Sequence, residues 1–317
     1  MENNLSMAQT IQPWELLSPD STWRGWWQPP IEGIPALPVL AARGRRDGPT
    51  VLVTGAVHGD EYEGPAAIHA LFNNLDLSEL AGRVIGLPVV NVAAWQAHAR
   101  TSPVDGIDLN RVFPGTDDAG AEPSRQLARA VFEHFVRPCD VLIDLHSGGA
   151  RLVHLPMVGW YAGDAEAERL ARRFGEGLMP WLIPDVPGVL SSEAHQAGKI
   201  AIGAEYGGGA RLDPGGVAAY TAGLRRLLAL LAGEEPEPAA PDTRRPIAGS
   251  YQTGEQGGLF VANVNLGDHV TPATVLGQLY NLLGESVGGV MAERAGIVAA
   301  LAHRALLGPG DRVAYIG

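Results

Sequence analysis

Two histidines stand directly behind apolar runs, and a glutamate follows one of them closely. The segments are Thr54-Gly55-Ala56-Val57-His58-Gly59-Asp60-Glu61 and Asp140-Val141-Leu142-Ile143-Asp144-Leu145-His146, the latter followed by Ser147, Gly148 and Gly149. A His–x–x–Glu pair on a tight turn aims an imidazole nitrogen and a carboxylate oxygen at one point. A third ligand from a neighbouring strand end would complete a two-His-one-Glu zinc set, whose open fourth position is the mark of a catalytic site. By itself the spacing is common, and most of the nine histidines are expected on the surface or in packing. Its context is more telling. A third apolar run ends in Ala204-Glu205-Tyr206-Gly207-Gly208-Gly209, and an acid seldom sits there unpartnered. Glu205 therefore either serves the same site or pairs with an arginine.

Between the first and second of these segments lies a long, turn-rich stretch, Arg100-Thr101-Ser102-Pro103-Val104-Asp105-Gly106-Ile107-Asp108-Leu109-Asn110-Arg111-Val112-Phe113-Pro114-Gly115. Long loops on a rigid sheet tend to carry function. Arg111 beside Asn110 suits a bidentate clamp on a substrate carboxylate. The alternative is that Arg111 pairs with Asp105 or Asp108 and braces the loop.

These segments need elements to hold them. Four nearly continuous apolar runs, Thr50–Val57, Arg83–Asn91, Asp140–Leu145 and Ile200–Glu205, read as strands covered on both faces. Helices are expected over Gly64–Asn74, Pro123–Val136 and Val217–Ala232. The second places Leu127, Val131 and Phe135 on one face, and the third does so with Leu224, Leu227, Leu228 and Leu231. Strands alternating with helices predict an α/β fold with a mainly parallel or mixed sheet, and ligands in such sheets bind beyond the carboxyl ends of strands. The composition changes at Gly233. Gly233–Asp242 reads as a linker rich in proline and acid, and glycine-punctuated β segments follow. The expected division is a catalytic α/β domain over 1–235 and a linker with a small all-β domain over 236–317. Two turns in the latter rhyme: Leu266-Gly267-Asp268-His269-Val270 and Pro309-Gly310-Asp311-Arg312-Val313, suggesting related hairpin modules.

The whole-chain figures set bounds on partners. The chain has 317 residues and a net charge of −12, which argues against nucleic acid and anionic lipid as partners. The single cysteine, Cys139, excludes an intrachain disulfide or thiolate cluster and reads as a small apolar residue. No apolar run is long enough to span a bilayer, and Met1–Thr10 lacks a secretory pattern, so a soluble cytoplasmic protein is expected. Trp23, Trp26 and Trp27 are expected to pack the N-terminal segment onto the catalytic domain.

Together, His58–x–x–Glu61, Asp108-Leu109-Asn110-Arg111, Asp144-Leu145-His146 and Glu205 resemble the succinylglutamate desuccinylase/aspartoacylase family, a branch of the zinc carboxypeptidase-like fold. The resemblance covers roughly Gly48 to Gly317. Its wording over Arg100–Gly106 and Asn110–Gly115 is closest to members that deacetylate N-acetyl-diaminobutyrate. It implies a zinc carboxypeptidase-like mixed sheet flanked by helices, plus a small C-terminal all-β, barrel-sandwich-like domain. It implies one Zn2+ per chain on His58, Glu61 and His146. Glu205 would be the general base and Arg100 the group that polarises the scissile carbonyl. Asn110 and Arg111 would hold a substrate carboxylate. The family's second substrate arginine has no counterpart in Ser191-Ser192-Glu193-Ala194-His195-Gln196, which speaks against a dicarboxylic substrate.

The expected activity is zinc-dependent removal of a short acyl group from a small N-acyl amino acid. The alternatives are a zinc carboxypeptidase acting on peptides and a catalytically silent metal- or small-molecule-binding protein. A lipoyl-type carrier role is excluded, because Gly233–Gly317 contains no lysine to modify. The sequence leaves open a homo-oligomer, the acyl group and side chain of the substrate, and whether Asp105, Asp108 or His195 faces the site.

Overall fold

The computed structural model describes residues 12–234 and 242–317. The N-terminal residues read for a secretory pattern, and most of the stretch read as a linker, lie outside the described residues. The first part of the chain runs β1 (Ser21–Trp27), β2 (Leu37–Arg43), β3 (Arg46–Gly55), α1 (Glu63–Asn73), β4 (Ala81–Leu87), α2 (Val92–Gln96), α3 (Pro123–Val131), β5 (Val141–His146), β6 (Leu152–Trp160), α4 (Ala165–Phe174), β7 (Met179–Leu182), α5 (Leu190–Gln196), β8 (Ile200–Gly208) and α6 (Pro214–Leu231).

The four apolar runs form the parallel centre of one sheet, in the order β4-β3-β5-β8. They are apolar on both faces because both faces are covered. On one side Ile68, Leu71, Phe174, Leu224 and Leu227 from α1, α4 and α6 pack on Val51, Val53, Ile143 and Ile202. On the other, Leu127, Val131, Phe135 and Leu190 pack on Leu52, Leu142 and Ala201. The predicted helix over Pro123–Val136 is present, its last turn a π-helical Phe132–Val136. Antiparallel strands flank the centre: β2 and then β1 beyond β4, and β6 beyond β8.

Trp14 and Trp27 pack on Phe135 at 5.0 Å each, and Trp23 lies 5.6 Å from Trp14. This fixes the N-terminal segment as expected, except that Trp26 is 70% exposed. Strand alternation explains the difference, since Trp26 points away from the face that carries Trp27.

After the break come β9 (Ser250–Thr253), β10 (Gly258–Ala262), β11 (His269–Val270), β12 (Val275–Tyr280), β13 (Ser286–Met291), β14 (Gly296–Ala302), β15 (Leu306–Leu307) and β16 (Arg312–Ile316). The all-β region has its own core, including Phe260, Leu276, Leu279, Val298 and Val313. One of its layers is the separate sheet β13-β12-β10-β15. The other layer, β14-β16-β9, continues the main sheet through β6. The rhyming turns are built alike: Asp268 Oδ2 accepts from the Asn265 N–H and Asp311 Oδ2 from the Gly308 N–H, both at 2.8 Å. Each has a glycine at positive φ before the aspartate, Gly267 and Gly310.

Candidate active site

β3 and β5 pair in register at Thr54–Asp144 and Gly55–Leu145, so the residues beyond their carboxyl ends arrive together. Ala56 turns the chain sharply at a φ of +44°, a conformation that costs a non-glycine residue about 1–3 kcal/mol. Gly59 follows His58 because a Cβ there would lie 2.0 Å from the backbone of Ala94 in α2.

The turn delivers Glu61 between two imidazoles. His58 Nδ1 lies 2.7 Å from Glu61 Oε1, and His146 Nδ1 lies 2.9 Å from Glu61 Oε2. The outer nitrogens rest on carboxylates: His58 Nε2 is 3.2 Å from Asp108 Oδ1, and His146 Nε2 is 2.8 Å from Asp144 Oδ2. Ligand atoms of His58, Glu61 and His146 lie within 4.8 Å of one another, a group that could hold a metal ion. The donor chemistry fits one. A carboxylate on Nε2 fixes the tautomer with its proton there, which leaves two Nδ1 lone pairs facing two carboxylate oxygens. Acceptors facing acceptors in a buried site need a cation or extra protons between them. In the chain by itself the charges compensate mutually. Burial would raise the Glu61 carboxyl, but the two imidazoles hold it well below the usual range. Burial would lower His146, but Asp144 and Glu61 push it well above its ordinary value.

Asp108 and Asp144 are the residues whose part in this was not read from sequence. Asp144 had a signal: it sits in an apolar strand two residues before His146, on the same face. Asp108 also accepts from Arg100 Nε at 3.0 Å, which sets Arg100 Nη1 3.8 Å from Glu61 Oε1. Burial opposes ionisation of Asp108, yet His58 and Arg100 hold its carboxyl well below the ordinary range. Asp105 is spent elsewhere, accepting from the Ser124 N–H and hydroxyl at the start of α3. His195 stacks on Tyr161 at 4.5 Å.

Arg111 does not brace the loop through a carboxylate. Among the described residues it forms no ion pair, and its guanidinium donates to the Asn110 carbonyl. Burial lowers its pKa, and so do the neighbouring Arg100 and Arg312. Asn110 is buried, with Oδ1 accepting from the Leu190 N–H at 2.7 Å, so it ties the loop to α5. Glu205 stands opposite His146 in the β5–β8 ladder. The alternative reading for it, an arginine pairing, is absent among the described residues; its close partner is His154, with Nδ1 3.0 Å from Oε2. Cys139 is buried and its thiol is pushed up to about 12, in keeping with an apolar packing role.

The His58, Glu61 and His146 group opens on a cleft of about 370 Å³. It is lined by the metal group, Arg100, Arg111 and Glu205, together with Trp181, Ile183 and Val186. The C-terminal region supplies Ser250, Tyr251, Arg312 and Tyr315. Sequence reasoning named none of these four for the site. Arg312 lies over the Tyr251 ring at 4.0 Å. Burial and nearby Glu205 push the Tyr251 hydroxyl up to about 12, so it stays a neutral hydrogen-bonding group.

Fold and site together define a hydrolase-type α/β sheet with a His-Glu-His group at its strand ends. The profile of the succinylglutamate desuccinylase/aspartoacylase catalytic domain matches residues 47–231, and the chain belongs to that family. It is 34% identical over 301 residues to the N-alpha-acetyl-L-2,4-diaminobutyric acid deacetylase of Halomonas elongata, covering 90% of this chain and 86% of the relative. Among solved structures, the product-bound ectoine utilization protein EutE (DoeB) of Ruegeria pomeroyi superposes with a TM-score of 0.82 at 28% identity, over 95% and 96% of the two chains. A succinylglutamate desuccinylase/aspartoacylase from Rhodobacter sphaeroides gives 0.80 at 29% identity, over 94% and 95%.

Proposed function

We propose that the chain is a zinc-dependent amidohydrolase that removes a short acyl group from a small N-acyl amino acid, with N-acetyl-diaminobutyrate the favoured substrate. The observation that carries this reading is the pair of imidazoles presenting Nδ1 to the two oxygens of Glu61. Similarity to the Halomonas elongata deacetylase supports the substrate class. His58, Glu61 and His146 would hold one zinc ion per chain. When bound, zinc supplies Lewis acidity, which makes water nucleophilic near neutral pH and polarises a carbonyl oxygen.

The chain's own groups do the rest. Glu205 takes the proton of the attacking water and passes it to the leaving amine, a role typically worth ~10²–10⁴-fold. Arg100, oriented by Asp108, donates to the carbonyl oxygen as charge develops on it. Arg111 binds the substrate carboxylate, and Asn110 fixes the turn that presents it. The side walls from Trp181, Tyr251 and Tyr315 favour a compact substrate over an extended peptide. Asp105 is engaged by Ser124 at the start of α3 and Asp108 by His58 and Arg100, which speaks against either as the receptor for an aminoalkyl side chain.

The test is metal analysis with a hydrolysis panel of N-acetylated diaminobutyrate, ornithine, lysine, aspartate and glutamate beside short peptides. Zinc near one per chain, loss of activity on chelation, and hydrolysis of the N-acetyl amino acids are expected. Glu205→Gln should keep its metal and lose nearly all turnover. Activity that survives exhaustive chelation, or a Glu205→Gln variant near wild type, would sink the reading.

A further inference from the structure

His154 belongs to none of the roles above, yet it is 5% exposed and lies against Glu205. Its Nδ1 is 3.0 Å from Glu205 Oε2, off the hydrogen-bonding direction. Neither imidazole nitrogen has a hydrogen-bond partner among the described residues, and neither does Glu205 Oε2. A buried imidazole and a buried carboxylate oxygen this close, each otherwise unmatched among the described residues, offset for each other the cost of an unpaired polar group.

The backbone brings them together. His154 is opposite Gly207 in the β6–β8 ladder, while Met157 is opposite Glu205. Two residues on β6, Leu155 and Pro156, thus lie against one on β8, Tyr206, a bulge of the kind that re-aims side chains beside functional sites. Pro156, which lacks an N–H, sits within it. Gly207 presents no side chain opposite His154, so the imidazole can lean along the diagonal to Glu205.

We infer that His154 is a positioning residue: it holds Glu205 Oε2 and so fixes the carboxylate with Oε1 turned to the cleft, where the proton is to be taken. The inference rests on the reading of Glu205 as the general base. A carboxylate free to rotate on its side chain would present either oxygen at varying distances, and misplacement by about 1 Å can cost ~10²-fold in rate.

The test is a double-mutant cycle with metal content and melting temperature measured for every variant. His154→Phe keeps ring volume and removes both nitrogens; His154→Asn retains an amide nitrogen near the Nδ1 position. His154→Phe should lower kcat about 10–100-fold with KM and metal content little changed, and His154→Asn should recover much of the loss. In a Glu205→Gln background, His154→Phe should cause little further loss. The inference is overturned if the loss falls on KM, if both His154 variants are equally poor, if kcat is unchanged, or if the loss is the same with Gln at 205. A Glu205→Gln variant near wild type would instead overturn the general-base reading itself, so the two failures are separable.

Discussion

At the scale of single residues, the site is a chain of carboxylates and bases in which each group fixes the next. Asp108 links the His58 imidazole to the Arg100 guanidinium. Its folded-state pKa is lowered, so it adds stability above the ordinary carboxylate range, and that stability is lost as pH falls towards the lowered value. Asp108→Asn should therefore be less stable than wild type at neutral pH and should lose less on acidification from about pH 5 to 3. Thermal melts of chelator-treated protein across that range would check this. Arg111, which forms no ion pair among the described residues, should behave differently: Arg111→Ala is expected to raise KM for a carboxylate-bearing substrate by about 10-fold or more, with kcat less affected. An unchanged KM would return Arg111 to a loop-bracing role. Much of this scale was legible in the sequence. His58, Glu61, His146, Glu205, Arg100 and Arg111 all line the cleft. What could not be read was the acid on which His58 leans, because that pair joins residues far apart in the chain, His58 and Asp108.

The secondary-structure elements explain why those residues converge. The central strands were legible because burial on both faces leaves an unbroken apolar run. β1 was not, since it alternates between exposed and covered positions, and β6 hid behind Pro156 and His154. Helix α4 did carry a signal, since Ala167, Leu170, Ala171 and Phe174 recur at helical spacing and form its buried face, while its arginines and glutamates pair on the exposed one. Gly59 shows how tightly the elements fit. Gly59→Ala should push the His58–Glu61 turn off α2 and lower metal occupancy sharply. If the purified variant binds metal as wild type does, the close approach of α2 is not what sets the turn.

Across the whole molecule, the composition change near Gly233 marks a real change of architecture, from helix-covered sheet to β layers. The continuity of the sheet across it was not legible, because strand pairing over such a separation leaves no local pattern. Tyr315 stitches the two regions. Its buried hydroxyl oxygen accepts from Trp181 Nε1 at 3.1 Å and from the Gly249 N–H at 2.8 Å. Tyr315→Phe strands two donors and should cost about 1–3 kcal/mol, read as a shift in the denaturation midpoint. Among the described residues, no helix is long and apolar enough to cross a membrane.

Strand β6 is hydrogen-bonded to β8 on one side and to β14 on the other. The wall of the cleft that carries Tyr251 and Arg312 is thus anchored through backbone bonds to the strand that bears Glu205. The two walls cannot swing apart without tearing that ladder. Selection among molecules that enter then falls to the outline of that sheet-borne wall and to the segments outside the strands, around Arg111 and Val186, that face the same opening.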